Sequence, residues 1–158
     1  MSKGFDISGF EKLQNDLQKL QREAPKTVNK TARDLSERLL TLTVKRTPVG
    51  DYSGDSYICK AKKELTHKGY YKKGKQGGTL RRAWVIRGPY YWGNDSYMEL
   101  INPIEYAPYV EYGHMTDGKK KSWVKGHFML TESLEDLKRI APRVIQKNVD
   151  TMMKEVFG

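Results

Sequence analysis

The chain of 158 residues has one cysteine, three histidines and no long apolar run. The lone Cys59 excludes an intramolecular disulfide and any cysteine-cluster zinc site. No stretch reaches the roughly 18 apolar residues that a membrane span needs. The start, Met1-Ser2-Lys3-Gly4-Phe5-Asp6, lacks the apolar region of a secretory signal. A soluble protein with no membrane partner, intracellular when made, is therefore expected. Hydrophobic residues make up only 37%, but aromatics reach 11%, ten of them tyrosines, and that argues against disorder. The length fits a single domain over 1–158. A chain of this size buries about 68–70% of its unfolded surface on folding, so it needs no covalent staple.

What is present in excess is positive charge: 29 Lys and Arg against 19 Asp and Glu, a net of +10. An anionic partner is the first implication. The charge is unevenly spread. Residues 1–46 carry +4 and residues 51–76 carry +4, the latter from seven lysines against three acids. Residues 77–116 carry −1, residues 117–126 carry +3, and residues 127–158 are neutral. The two short lysine-rich segments also hold Gly54, Gly69, Gly74, Gly118 and Gly126, and so read as solvated loops.

Hydrophobic spacing predicts the elements. Ser8-Gly9-Phe10-Glu11 fits a capping box. Phe10, Leu13, Leu17 and Leu20, and then Val28, Ala32, Leu35, Leu39 and Leu42, follow helical spacing on either side of Pro25. Two helices, or one kinked at Pro25, should end near Arg46, before the turn Thr47-Pro48-Val49-Gly50. Ser56 to Cys59 could form a short strand. Thr79 to Arg87 alternates, with Leu80, Arg82, Trp84 and Ile86 on one face, and reads as a strand. Residues 88–96 read as a turn-rich connection to a second strand, Tyr97 to Ile101, giving an antiparallel hairpin. Tyr106, Tyr109 and Val110 predict one or two helical turns. Leu134 to Val156 predict a C-terminal amphipathic helix, kinked or split near Ile140 by Pro142. The fold class is α+β: an N-terminal amphipathic helix or kinked helix pair, a small antiparallel sheet and a C-terminal amphipathic helix.

No constellation of catalytic, cofactor-binding or metal-ligating residues is legible, so the expectation is a protein that is not an enzyme. His67 reads as a surface residue, and His114 and His127, each after a glycine, as makers of local hydrogen bonds. Gly69 to Lys75 matches part of a phosphate-binding loop. Gln76, however, stands where a hydroxyl should hold magnesium, and neither the preceding strand nor the following helix is in place. Nucleic acid is the alternative partner. Lys60, Lys62, Lys63, Lys72, Lys73 and Lys75 are interleaved with Tyr57, Tyr70 and Tyr71, and Lys119, Lys120 and Lys121 add a second cluster. Such loops could bind DNA non-specifically through phosphates and base stacking.

Four segments together resemble a known family: Thr47-Pro48-Val49-Gly50, Gly78-Thr79-Leu80-Arg81-Arg82, Tyr106-Ala107-Pro108-Tyr109-Val110-Glu111-Tyr112-Gly113, and His127-Phe128-Met129-Leu130. In order and spacing, over about residues 8 to 156, they resemble the bacteriophage tail-component family of small head–tail joining proteins. The motif ending in Glu111-x-Gly113 is the most specific part. In the family the Thr-Pro-Val turn runs almost directly into Gly-x-Leu-Arg, whereas here the 26 residues 51–76 intervene as an apparent insertion.

The resemblance implies a virion neck or tail-completion component without catalysis, formed in the host cytoplasm and placed at the head–tail junction. It implies assembly with itself into a ring, a hexamer where the tail tube is six-fold, and contact with tail-tube or connector proteins. The interface candidates are Arg81, Arg82, Tyr106, Tyr109, Glu111 and Tyr112, because aromatics and Arg anchor interfaces. The competing expectation is that Tyr106, Tyr109 and Val110 pack under the sheet. A Glu111 pair with Arg81 or Arg82 is a further expectation.

Overall fold

The computed structural model describes residues 8–50, 77–93, 95–117 and 120–158. Two long helices dominate: α1 (Ser8–Arg46) and, last in chain order, α4 (Met129–Phe157). Between them lie α2 (Thr79–Arg82), the hairpin β1 (Val85–Trp92) and β2 (Asp95–Ile101), α3 (Ala107–Tyr112), and a second small hairpin, β3 (Gly113–Met115) and β4 (Trp123–Lys125). The architecture is α+β, with each sheet an antiparallel pair.

α1 and α4 pack against each other, antiparallel. At one end, Arg46 of α1 donates to Ser133 Oγ at 3.3 Å and forms an ion pair with Asp136. Further along, Asn148 donates to Thr31 Oγ1 and Asp34 Oδ2. At the far end, Lys19 reaches the Glu155 carbonyl. Small hydroxyl residues sit in the seam: Thr43, Thr47 and Ser133 are fully buried. Each donates its hydroxyl to the carbonyl four residues back, so none of the three hydroxyls is stranded.

α1 has 39 residues and α4 has 29, lengths of about 58 Å and 43 Å at 1.5 Å per residue. The first turns of α1 therefore project past the end of α4, and Phe10, Leu13 and Leu17 on them are exposed. Among the described residues an apolar cluster sits where α1 ends and α4 begins, and Val156 is buried near the far end of α4. Leu80, Ala107 and Met129 are buried together, with Trp84, Ile104 and Val110 packed against them.

α1 is one helix through Pro25, one of the two forms expected. Several other elements differ from the expectations: α4 is one helix through Pro142, not split there. Both prolines lie on exposed faces, where water can satisfy the carbonyls they leave free. Residues 79–82 form a helical turn rather than the start of a strand, and β1 begins at Val85. Gly78, at φ +90°, sets the chain into that turn, which buries Leu80 and aims Arg81 back at α1. β1 then runs to Trp92 through a register irregularity between Arg87 and Tyr90, so residues 88–92 are strand, not connection. The second lysine-rich segment is not wholly loop, because residues 123–125 pair with 113–115. The strand expected at 56–59 and the insertion 51–76 lie outside the described residues.

Candidate functional site

The Tyr106–Gly113 motif builds a junction. α3 presents Glu111, which is only 6% exposed, to the start of α4. The helix α4 has no cap of its own, since its N-cap residue Phe128 carries no hydrogen-bonding side chain. Glu111 supplies the cap from a distance. Its Oε2 accepts the Leu130 N–H at 2.9 Å, and its Oε1 accepts the Thr131 N–H at 2.9 Å and the Thr131 hydroxyl at 2.7 Å. A carboxylate here satisfies two orphan donors and complements the positive end of the helix dipole. Two backbone bonds fix the crossing: His127 N–H to the Val110 carbonyl, 2.8 Å, and Phe128 N–H to the Glu111 carbonyl, 3.0 Å. They hold Phe128 at φ 47°, a conformation rare for a residue with a side chain.

The glycine that ends the motif has a matching reason. Gly113 has φ +89°, and a Cβ there would run into the Val124 carbonyl and the Gly126 nitrogen. A Cβ on Gly126 would meet the Glu111 carbonyl and the backbone of Tyr112 and Gly113. The chain before β3 and the chain after β4 thus cross at backbone contact, which only glycine allows at both positions.

A second junction centres on Thr47. Its carbonyl accepts Nε of Arg81 at 2.9 Å and Nη2 at 2.5 Å. Its hydroxyl accepts the Trp84 indole N–H at 2.8 Å. Asn102 donates to the Leu80 carbonyl at 2.9 Å, tying β2 to the same turn. Gly77 packs against Gly50 and Val49, so the chain re-enters beside the point where it leaves for residues 51–76.

The candidates divide accordingly. Glu111 and Arg81 are committed inside the subunit, and Glu111 pairs with neither arginine: Arg81 is taken by Thr47, and Arg82 by the Gly77 carbonyl at 3.1 Å. Arg82 itself is exposed. Tyr106, Tyr109 and Tyr112 are exposed, so only Val110 of the expected core trio packs inward. His114 makes no bond through Nδ1, which is buried without a partner; its ring meets Tyr109 edge-on at 6.0 Å. Lys120 and Lys121 are exposed. Lys60, Lys62, Lys63, Lys72, Lys73, Lys75 and Lys119 lie outside the described residues.

Sequence reasoning missed the largest exposed aromatics. Trp92 is 80% exposed and Tyr91 66%, at the tip of the β1–β2 hairpin, with Tyr90 and Tyr97 stacked behind them at 5.3 Å. Trp123 and Met115 are exposed on the second hairpin. The signal was the run Tyr90-Tyr91-Trp92 directly before Gly93, aromatic where a hairpin tip is ordinarily polar. Among the described residues no group of three or more His, Cys, Asp or Glu could hold a metal, and no helix is long and apolar enough to cross a membrane.

These features define a small α+β module whose sequence motifs are spent on joining its elements. The chain belongs to the HK97-gp10-like family, described as "Bacteriophage HK97-gp10, putative tail-component", which it matches over residues 11–113. That span takes in α1 from Glu11 on, both Thr47 partners and the whole Tyr106–Gly113 motif. The chain is thus a phage tail component, and its place is the virion. No curated protein and no solved structure matches it.

Proposed function

We propose that the chain is a non-enzymatic structural subunit. It assembles with copies of itself into a ring at the head-proximal end of the tail, as a completion, terminator or connector protein. The observation that carries this reading is the distribution of apolar surface. The described core buries few large side chains, while Tyr91, Trp92, Trp123, Tyr109 and Tyr112 stand in solvent on the hairpins and α3. Exposed aromatics gathered on projecting elements mark interaction surfaces.

Among the described residues both sheets are two-stranded and keep open edges. The β1–β2 hairpin packs on α1, and a neighbour's strand or aromatic face would cover what that helix leaves open. Head-to-tail contacts close into a ring when the rotation per subunit divides a full turn, and a six-fold tail tube favours six copies. The opposite rims of such a ring would meet tube and connector proteins.

Negative-stain microscopy of the purified full chain tests this. Uniform rings are expected. A monodisperse monomer at tens of micromolar, with no ring on addition of tube protein, would refute it.

A further inference from the structure

The solvent face of α1 carries a strip of cations that the ring reading does not use. At about 100° per residue, Lys12, Lys19, Arg22, Lys26, Lys30 and Arg33 fall within a sector of about 80°, over about 32 Å of helix. All six are exposed. This sector lies opposite the apolar stripe through Leu13, Leu17 and Leu35. From residue 8 to 33 its remaining positions are Ser8 and Asn15, so neither an acid nor an apolar side chain interrupts it. The acids Asp16, Glu23 and Asp34 fall on one margin and Glu11 on the other, and Glu37 closes the strip one turn beyond Arg33. Among the described residues, Lys26 is the one cation of the six with an ion pair, to Glu23 at 2.7 Å. Lys19 also reaches the Glu155 main-chain carbonyl, an uncharged acceptor.

We propose that this strip binds the phosphate backbone of duplex DNA, independently of sequence. Two features favour a nucleic acid over an acidic protein face. A protein interface needs a desolvated apolar or aromatic anchor, and the strip has none. Cations repeated every three or four residues along a rod suit a rod of regularly spaced phosphates, for which charge alone supplies the affinity. The strip is separate from the lysine-rich segments 51–76 and 117–126, and it does not depend on ring formation.

The test is fluorescence anisotropy of a labelled 30-base-pair duplex with the full chain across a salt series. With about five phosphates neutralised at about 0.9 each, the log–log salt slope should be about −4 to −5. A variant with Arg22→Gln, Lys26→Gln, Lys30→Gln and Arg33→Gln should lose about 3 to 4 of that slope. A variant with Lys119→Gln, Lys120→Gln and Lys121→Gln should keep nearly all of it. Should the α1 variant fail to fold, amine-reactive footprinting of the wild-type chain decides. Duplex should protect Lys12, Lys19, Lys26 and Lys30 and leave Lys138, Lys147 and Lys154 reactive. Three results would overturn the proposal: no binding at 50 mM salt, equal binding by the α1 variant, or equal competition by polyglutamate of matched charge.

Discussion

The two ends of the helical pair are built differently. Where α1 ends and α4 begins, nearly every polar group is committed: Thr47 to Arg81 and Trp84, Arg46 to Ser133 and Asp136, and Glu111 to the first turn of α4. At the other end, Phe10, Leu13 and Leu17 extend past the last turn of α4 with their apolar faces in water. The hairpin tip with Tyr91 and Trp92 is likewise unspent. The contrast separates two tasks. Family motifs hold one subunit together, and in the proposed ring the exposed apolar surface is left for neighbours. The most motif-like residue, Glu111, is the least available to a partner.

Substitutions at the junction should therefore cost the fold, and substitutions at the periphery should cost the assembly. The largest effect is expected at Gly126→Ala. A Cβ there meets backbone with nowhere to move, and the cost should be about 3 kcal/mol in a urea titration. Glu111→Ala comes next. It uncaps α4 and leaves two first-turn N–H groups without their partner, for a loss of about 2 kcal/mol and a visible loss of helix by circular dichroism. Thr47→Val removes the acceptor of the Trp84 indole and should cost about 2 kcal/mol, read as a lower urea midpoint with blurred tryptophan fluorescence. Deleting residues 51–76 should cost least. Gly77 already touches Gly50, and shortening a loop changes its closure entropy by only about 1 kcal/mol. Loss of folding on that deletion would place the segment in the core and blur the division between junction and periphery.

Much of this was legible in the sequence, because helical spacing and turn residues are local signals. The stripes of α1 and α4 and the helical turn of Tyr106–Gly113 follow from three- and four-residue recurrence. Thr79–Trp84 did not, since a short alternating run fits either period, and the deciding contact, Arg81 to Thr47, spans 34 residues. Pro142 does not split α4, for a related reason. A proline on a wet helix face costs a bond without ending a helix that tertiary packing holds. The role of Glu111 was hidden because its partners lie 19 and 20 residues on, at a helix whose own N-cap position is a phenylalanine. An uncapped helix start beside a buried acid is the signature to look for.

The central claim, that junction and periphery serve subunit and assembly separately, is tested most directly at the hairpin tip. The double variant Tyr91→Ser, Trp92→Ser should be compared with the wild-type chain by sedimentation and urea unfolding at matched concentration. The account predicts a chain folded as before, with helical signal intact, that sediments as a monomer where the wild type forms a closed oligomer. A variant that still assembles, or one that unfolds, would contradict it.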